Sequence, residues 1–299
     1  MPAVSTTSTR RRKAPIALLF PLTAAWVLVP QLTPFAAMCC IALSLFGLIK
    51  LHTLLHHTAK HQVPVVSDPI ARFFAWPVLN ASRFFTRTDC TTAMPREWVF
   101  AFAKTIFGGS LFFFAAPAIL ENHQLTAGWV ALVGVVFMLH FGSFHLLALY
   151  WRTRGRNVRP IMNAPILATS VSDFWSKRWN LAFRDYAHPF LFKPLARKWS
   201  PVAAVIVGYT FSGLVHELAI SVPAKGGYGL PTLYFTLQGL AILLERKARL
   251  KGGPRGWCWT FLVTAPGALL LFHPPFVKTI VVPLLTTRRY LRKNENATA

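Results

Sequence analysis

Acidic residues are scarce in this chain: nine Asp and Glu stand against 32 Lys and Arg among 299 residues. Charged residues of both signs reach only 14%, where a soluble domain carries roughly a quarter. That shortage excludes an ordinary water-soluble surface. The four cysteines, Cys39, Cys40, Cys90 and Cys258, show no metal-ligand spacing and define no disulfide framework. Cys39 and Cys40 lie in an apolar run, where a thiol behaves as a small hydrophobe. Several signatures are also absent. There is no Gly-x-Ser-x-Gly elbow, no phosphate-binding Gly-rich loop ending in Lys-Ser/Thr and no His-Glu-x-x-His. Nor is any His followed four residues later by Asp. We find no internal repeat and no low-complexity segment.

What is present is apolar. Hydrophobic residues make up 54% of the chain and its mean hydropathy is +0.44. They gather into runs near or above the length that crosses a bilayer, about 20 helical residues. The net charge of +23 would point to nucleic acid in a soluble protein. Here the cations fill the gaps between runs, as at Arg10–Lys13, Arg152–Arg159, Arg246–Lys251 and Arg288–Lys293. Cytoplasmic loops look like this under the positive-inside rule, so membrane lipids are the expected partner and nucleic acid is not.

The runs are 15–30, 34–55, 98–120, 127–151, 202–222 and 232–244, followed by a stretch over 257–285 broken at Ala265-Pro266-Gly267 and at His273-Pro274-Pro275. The basic start and the first run resemble a signal peptide, but a second run follows at once without a convincing cleavage site, so the first is read as a retained helix. Splitting 257–285 at the second break puts every basic cluster, and both termini, on the cytoplasmic side. The expectation is an all-α, polytopic bundle of about eight spans, with seven as the alternative. It forms a single membrane-embedded domain over 1–299, in the bacterial inner membrane or an internal membrane. Aromatics among arginines, as in Arg72-Phe73-Phe74-Ala75-Trp76 and Arg83-Phe84-Phe85, are expected at the headgroup interface. The less apolar segment 152–200 is expected to be interfacial or re-entrant.

Ionisable residues within spans are costly and so are candidates for function. Glu217 is the acid placed deepest in an apolar run, beside His216. Gly208, Ser212 and His216 are spaced four apart and share a helix face. Small residues there leave a groove for another helix or an acyl chain. Adjacent helical residues point about 100° apart, so Glu217 is expected to pair with another helix or face a polar cavity rather than orient His216. His216 could serve as a general base or merely join two helices. His140 and His145 could line a substrate path or bond to neighbouring helices. His52, His56, His57 and His61 have helical spacing but no accompanying carboxylate or thiolate, and no metal site is expected.

A second constellation is Asp173-Phe174-Trp175-Ser176-Lys177-Arg178-Trp179-Asn180. Ser170 and Asp173 fit a capping box opening a helix, with Asp in place of Glu. On that helix Trp175 and Trp179 would share one face, and Ser176 and Asn180 another. Lys177, Arg178 and Arg184 would form a cationic rim. The alternative is a plain interfacial anchor.

Together, Phe174–Asn180 and Ser212–Glu217 resemble the wax synthase-like branch of the membrane-bound O-acyltransferase superfamily. Tyr228-Gly229-Leu230-Pro231-Thr232, Gln238-Gly239-Leu240 and Leu271–Val277 agree, so the family-like region runs over 140–283. The resemblance implies transfer of a fatty acyl group from acyl-CoA, a co-substrate rather than a bound cofactor, to a long-chain or other lipophilic alcohol. It implies catalysis by His216 with Asn180, and contact with the co-substrate through Trp175, Lys177, Arg178, Trp179 and Arg184. Gly208, Ser212, Glu217 and His140 would line the substrate tunnel. Ser176 and Lys177 depart from the Gly and Arg of many relatives, which bears on co-substrate affinity rather than on the histidine or asparagine. Alternatives are a secondary-metabolite or glycan acceptor, or a lipid-binding or transport protein without catalysis.

Overall fold

The computed structural model describes residues 31–61, 73–85 and 93–286. The first apolar run and the basic clusters at Arg10–Lys13 and Arg288–Lys293 lie outside them. Among the described residues every regular element is helical. We label them α1 (Pro34–His61), α2 (Ala81–Phe85), α3 (Pro95–Ile119), α4 (Gln124–Thr153), α5 (171–178), α6 (181–198), α7 (Pro201–Ala224), α8 (Leu230–Lys247), α9 (Gly253–Leu271) and α10 (Pro274–Thr286). Helices α1, α3, α4 and α7 are long and apolar enough to cross a membrane. The protein is an integral membrane protein.

Proline sets many of the starts. Pro34, Pro95, Pro201, Pro231, Pro254 and Pro274 each stand in a first helical turn, where the missing N–H has no helical partner to lose. Inside helices proline does something different. Among the described residues six turns widen to i→i+5 bonding, and four of them, 111–115, 188–192, 217–221 and 277–281, end two residues before Pro117, Pro194, Pro223 and Pro283. A proline ring collides with the carbonyl four residues earlier, which lies inside the widened turn each time, so the helix loosens rather than breaks. The other two widened turns, 136–143 and 174–178, have no such proline and carry His140 and Trp175.

The stretch at the C-terminal side departs from expectation. Only Phe272 and His273 separate α9 from α10, and the two helices are bent by 53°. That is a bend, short of the reversal that two antiparallel spans need, so α9 and α10 form one broken span or a re-entrant turn. In the aromatic segment after α1, Phe73, Trp76 and Phe84 are fully buried, in a cluster with Leu54, Trp151 and Met162. The ammonium of Lys50, also fully buried, donates to the carbonyls of Phe73 and Trp76 and lies 3.9 Å from the Phe73 ring. A buried cation must find acceptors, and these carbonyls tie the segment to α1.

Candidate functional site

His216 stands at the last ordinary turn of α7, just before the widened turn 217–221. Its Nδ1 lies 2.7 Å from the Ser212 carbonyl oxygen. A carbonyl only accepts, so Nδ1 carries the hydrogen and, in the neutral ring, Nε2 keeps its lone pair. The ring packs on Phe235 of α8 with centroids 4.3 Å apart. Phe235 in turn lies 5.5 Å from Trp175. One phenyl ring thus joins the two constellations singled out from the sequence.

Glu217 turns away from its neighbour. Its Oε1 accepts from the backbone N–H and the hydroxyl of Thr232, at 3.1 and 3.0 Å, in the first turn of α8. A carboxylate at a helix N-terminus is favoured by the exposed amides and by the helix dipole. Its Oε2 is buried without a hydrogen-bond partner among the described residues. The close approach of α7 to α8 is made by Gly213, where a methyl would lie 2.6 Å from Thr232 Cα. Gly208 is roomier: a methyl there would meet Leu191 Cδ2 at 3.9 Å. Ser212 is buried. His140 presents its ring edge-on to Phe144 at 5.5 Å. Its Nδ1 is buried without a partner, and no hydrogen bond or ring contact among the described residues joins it to His216. His145 pairs with Lys104 at 2.9 Å.

The helix expected over 173–180 stops early. Ser170 Oγ accepts from Asp173 N at 2.9 Å, half of the capping box, while Asp173 bonds Arg178 instead of reaching back. Trp179 is extended and Asn180 has φ of +42°, so the chain turns sharply between the two residues. Trp175 and Trp179 therefore do not share a face. Trp175 faces Tyr209, Tyr234 and Phe235, whereas Trp179 stacks on Phe174 and meets Phe141. Asparagine tolerates this left-handed conformation better than other non-glycine residues. The Asn180 Oδ1 accepts from Phe183 N at 3.3 Å and caps α6, a bond that does not use the Nδ2 donor.

The cationic rim is partly spoken for. Arg178 Nε bonds Asp173 at 2.5 Å, and Arg184 bonds Asp185 and the Ser176 carbonyl, both at 2.7 Å. Lys177 is exposed. Further along α6, His188 is held below the ordinary imidazole range by partial desolvation first and then by Lys193 and Arg184. Three histidines of α1 meet rings: His52 and His56 lie edge-on to Phe190, and His57 stacks on Phe85.

The structure adds three groups that the sequence reading left unassigned. Glu245, fully buried, accepts from the backbone N–H groups of Val171 and Ser172 at 2.7 and 3.1 Å. Gln238 accepts from Trp175 Nε1 and donates to the Val263 carbonyl, both at 3.1 Å. Their spacing of seven residues, two helical turns, was the available signal. Glu245 was hidden among the loop charges Arg246 and Lys247. The third is a fully buried Ser221–His273 pair, with Oγ and Nε2 3.2 Å apart. It looks like a nucleophile and its base, but Phe276 N–H donates to His273 Nδ1. Nε2 therefore carries the hydrogen and cannot take one from the hydroxyl. This pair closes the bend at His273 against the end of α7.

Fold and site thus define a helical integral membrane protein with a histidine, late in α7, whose Nδ1 bonds Ser212 and whose Nε2 has no hydrogen-bond partner among the described residues. Residues 158–237 match the model of the Membrane bound O-acyl transferase family. The chain is 38% identical over 74 residues to a long-chain-alcohol O-fatty-acyltransferase of Simmondsia chinensis, covering 22% of this chain and 21% of that protein. With two probable long-chain-alcohol O-fatty-acyltransferases of Arabidopsis thaliana, numbers 2 and 3, it is 29% identical over 213 residues and 30% over 209. Those matches cover 62% and 60% of this chain, and 58% and 59% of the relatives. The chain thus matches less than two thirds of their length. These matches make the chain similar to the membrane-bound O-acyltransferases of the wax synthase-like branch.

Proposed function

We propose that the protein transfers a fatty acyl group from acyl-CoA to a long-chain or other lipophilic alcohol, releasing CoA and forming a wax-type ester. The observation that carries this reading is the His216 ring, fixed by Ser212 with Nε2 left as the acceptor. Nε2 takes the hydroxyl proton as the alcohol oxygen attacks the thioester carbonyl. The C–S bond then breaks, and the proton passes to the departing thiolate, so atoms and charge balance. The Nδ2 of Asn180, which its cap does not use, serves as donor to the developing oxyanion. Lys177, with Arg178 and Arg184 once they leave their carboxylates, meets the CoA phosphates. Trp175 and Trp179 flank that site, while Gly208, Ser212, Glu217 and His140 border the path of the acyl chain. No bound cofactor takes part in this scheme.

In this reading the whole chain acts as one domain, with its family-like core over 140–283. An interfacial 152–200 segment, with both termini on the cytoplasmic side of a bacterial inner membrane or an internal membrane, brings CoA to the cationic rim. The test is to incubate membranes holding the protein with labelled acyl-CoA and a panel of alcohols. Labelled ester with fatty alcohols supports the proposal. Label on a glycan or a polar metabolite alone overturns the acceptor, and no label transfer overturns the activity.

A further inference from the structure

We infer that Glu245 and Gln238 are positioning residues, which hold the Trp175–Asn180 segment against the same helix that seats His216; the inference rests on the acyl-transfer reading above. Both side chains are almost wholly buried, at 0% and 1% exposure. The Glu245 carboxylate takes the first two amides of α5, and the Gln238 amide links the Trp175 indole to α9. Phe235, less than one turn from Gln238 on α8, lies against Trp175 on one side and His216 on the other. Glu217 fixes the opposite end of α8 to the turn that follows His216. Helix α8 is therefore a bar tied at both ends and in the middle. It sets the distance between the segment bearing Lys177 and Asn180 and the helix bearing His216.

Each tie is directional, so its loss shifts the segment rather than merely thinning the packing. A displacement of about 1 Å in such a part can cost on the order of 10²-fold in rate. Neither side chain is placed to touch the reacting groups, because each is used up on its protein partners.

The test uses the full chain in lipid nanodiscs, comparing Glu245→Gln, Glu245→Leu and Gln238→Leu with the unaltered protein. Amide hydrogen exchange over 169–180 and 230–240 is read alongside thermal midpoint and the KM for acyl-CoA and for alcohol. We expect faster exchange in 169–180 only, and a raised KM for acyl-CoA with that for alcohol unchanged. Glu245→Gln, which keeps one acceptor, should fall between the unaltered protein and Glu245→Leu. Unchanged exchange in 169–180, or a loss of folded protein with the KM for acyl-CoA unmoved, overturns the inference. If the unaltered protein transfers no acyl group, the function fails while the exchange pattern still judges the positioning.

Discussion

Two helix pairs in this molecule place their close fit and their polar bonds differently. Helices α3 and α4 meet backbone to backbone. A methyl on Gly108 would lie 2.3 Å from Met138 N, and one on Gly142 would lie 2.2 Å from Thr105 Oγ1. Helices α7 and α8 share one such contact, at Gly213, and add directional bonds: Glu217 to Thr232, and Thr210 Oγ1 to Thr236 Oγ1 at 3.2 Å. Lipid tails are as apolar as leucine, so helices in a membrane associate through close fit or through polar bonds. Both pairs combine the two: α3 and α4 add the Lys104–His145 contact and the Arg152–Glu97 ion pair, both at 2.9 Å, whereas α7 and α8 place their bonds on either side of His216. Fit fixes that two helices touch, whereas directional bonds also fix their register, and register is what His216, Phe235 and Trp175 need.

Substitutions at four positions can break or sharpen that contrast. The largest effect is expected from His216→Ala, which should lower acyl transfer by about 10²–10⁴-fold. The bond it removes is worth only about 1 kcal/mol net, so the detergent-solubilised thermal midpoint should barely move. A midpoint that falls in step with activity would return His216 to a purely structural role.

Gly142→Leu should do the reverse. It forces side-chain atoms into the Thr105 backbone and should cost about 1–3 kcal/mol or more in stability. Folded yield by size-exclusion chromatography should drop, while turnover per folded molecule stays near the unaltered value. Reduced turnover in the surviving folded fraction would show that α3 and α4 also set the site.

Glu217→Ala tests whether polar ties carry register. It leaves the Thr232 N–H and hydroxyl without their acceptor, at about 1–3 kcal/mol. Activity should fall further than stability alone explains, and Glu217→Gln should restore much of both because one acceptor oxygen remains. Equal losses in Ala and Gln variants would show that the charge, not the cap, matters. The smallest effect belongs to Thr210→Val, which removes one interhelical bond of about 0.6 kcal/mol. A small shift in thermal midpoint with unchanged turnover is expected, and a large loss of activity would move Thr210 into the site.

Much of this organisation was legible from residue order alone. Run length and composition determined the helices, because an apolar stretch of bilayer length has few other ways to satisfy its backbone. Helix α7 over Pro201–Ala224 and α4 over Gln124–Thr153 follow their runs closely. The spacing of Gly208, Ser212 and His216 fixed a common face, and the adjacency of His216 and Glu217 foretold that they point apart. The break at His273-Pro274-Pro275 was visible too, since a proline pair cannot continue a helix unaltered.

Tertiary structure decided the rest. The tautomer of His216 depends on its 2.7 Å bond to Ser212, and a ring rotation that periodicity does not encode makes that bond. The end of α5 at Trp179 rather than beyond Asn180 depends on the turn that lets Asn180 cap α6. The 53° bend between α9 and α10 depends on Ser221 and Gly227 packing around His273. Glu245 read as one more charge at a helix end until its partners, Val171 and Ser172, arrived from 74 and 73 residues away. A periodic pattern specifies which face a residue occupies, because local geometry repeats along the chain. It carries no record of which distant amide will meet that face, and for a buried carboxylate that meeting determines whether it is a burden or a tie.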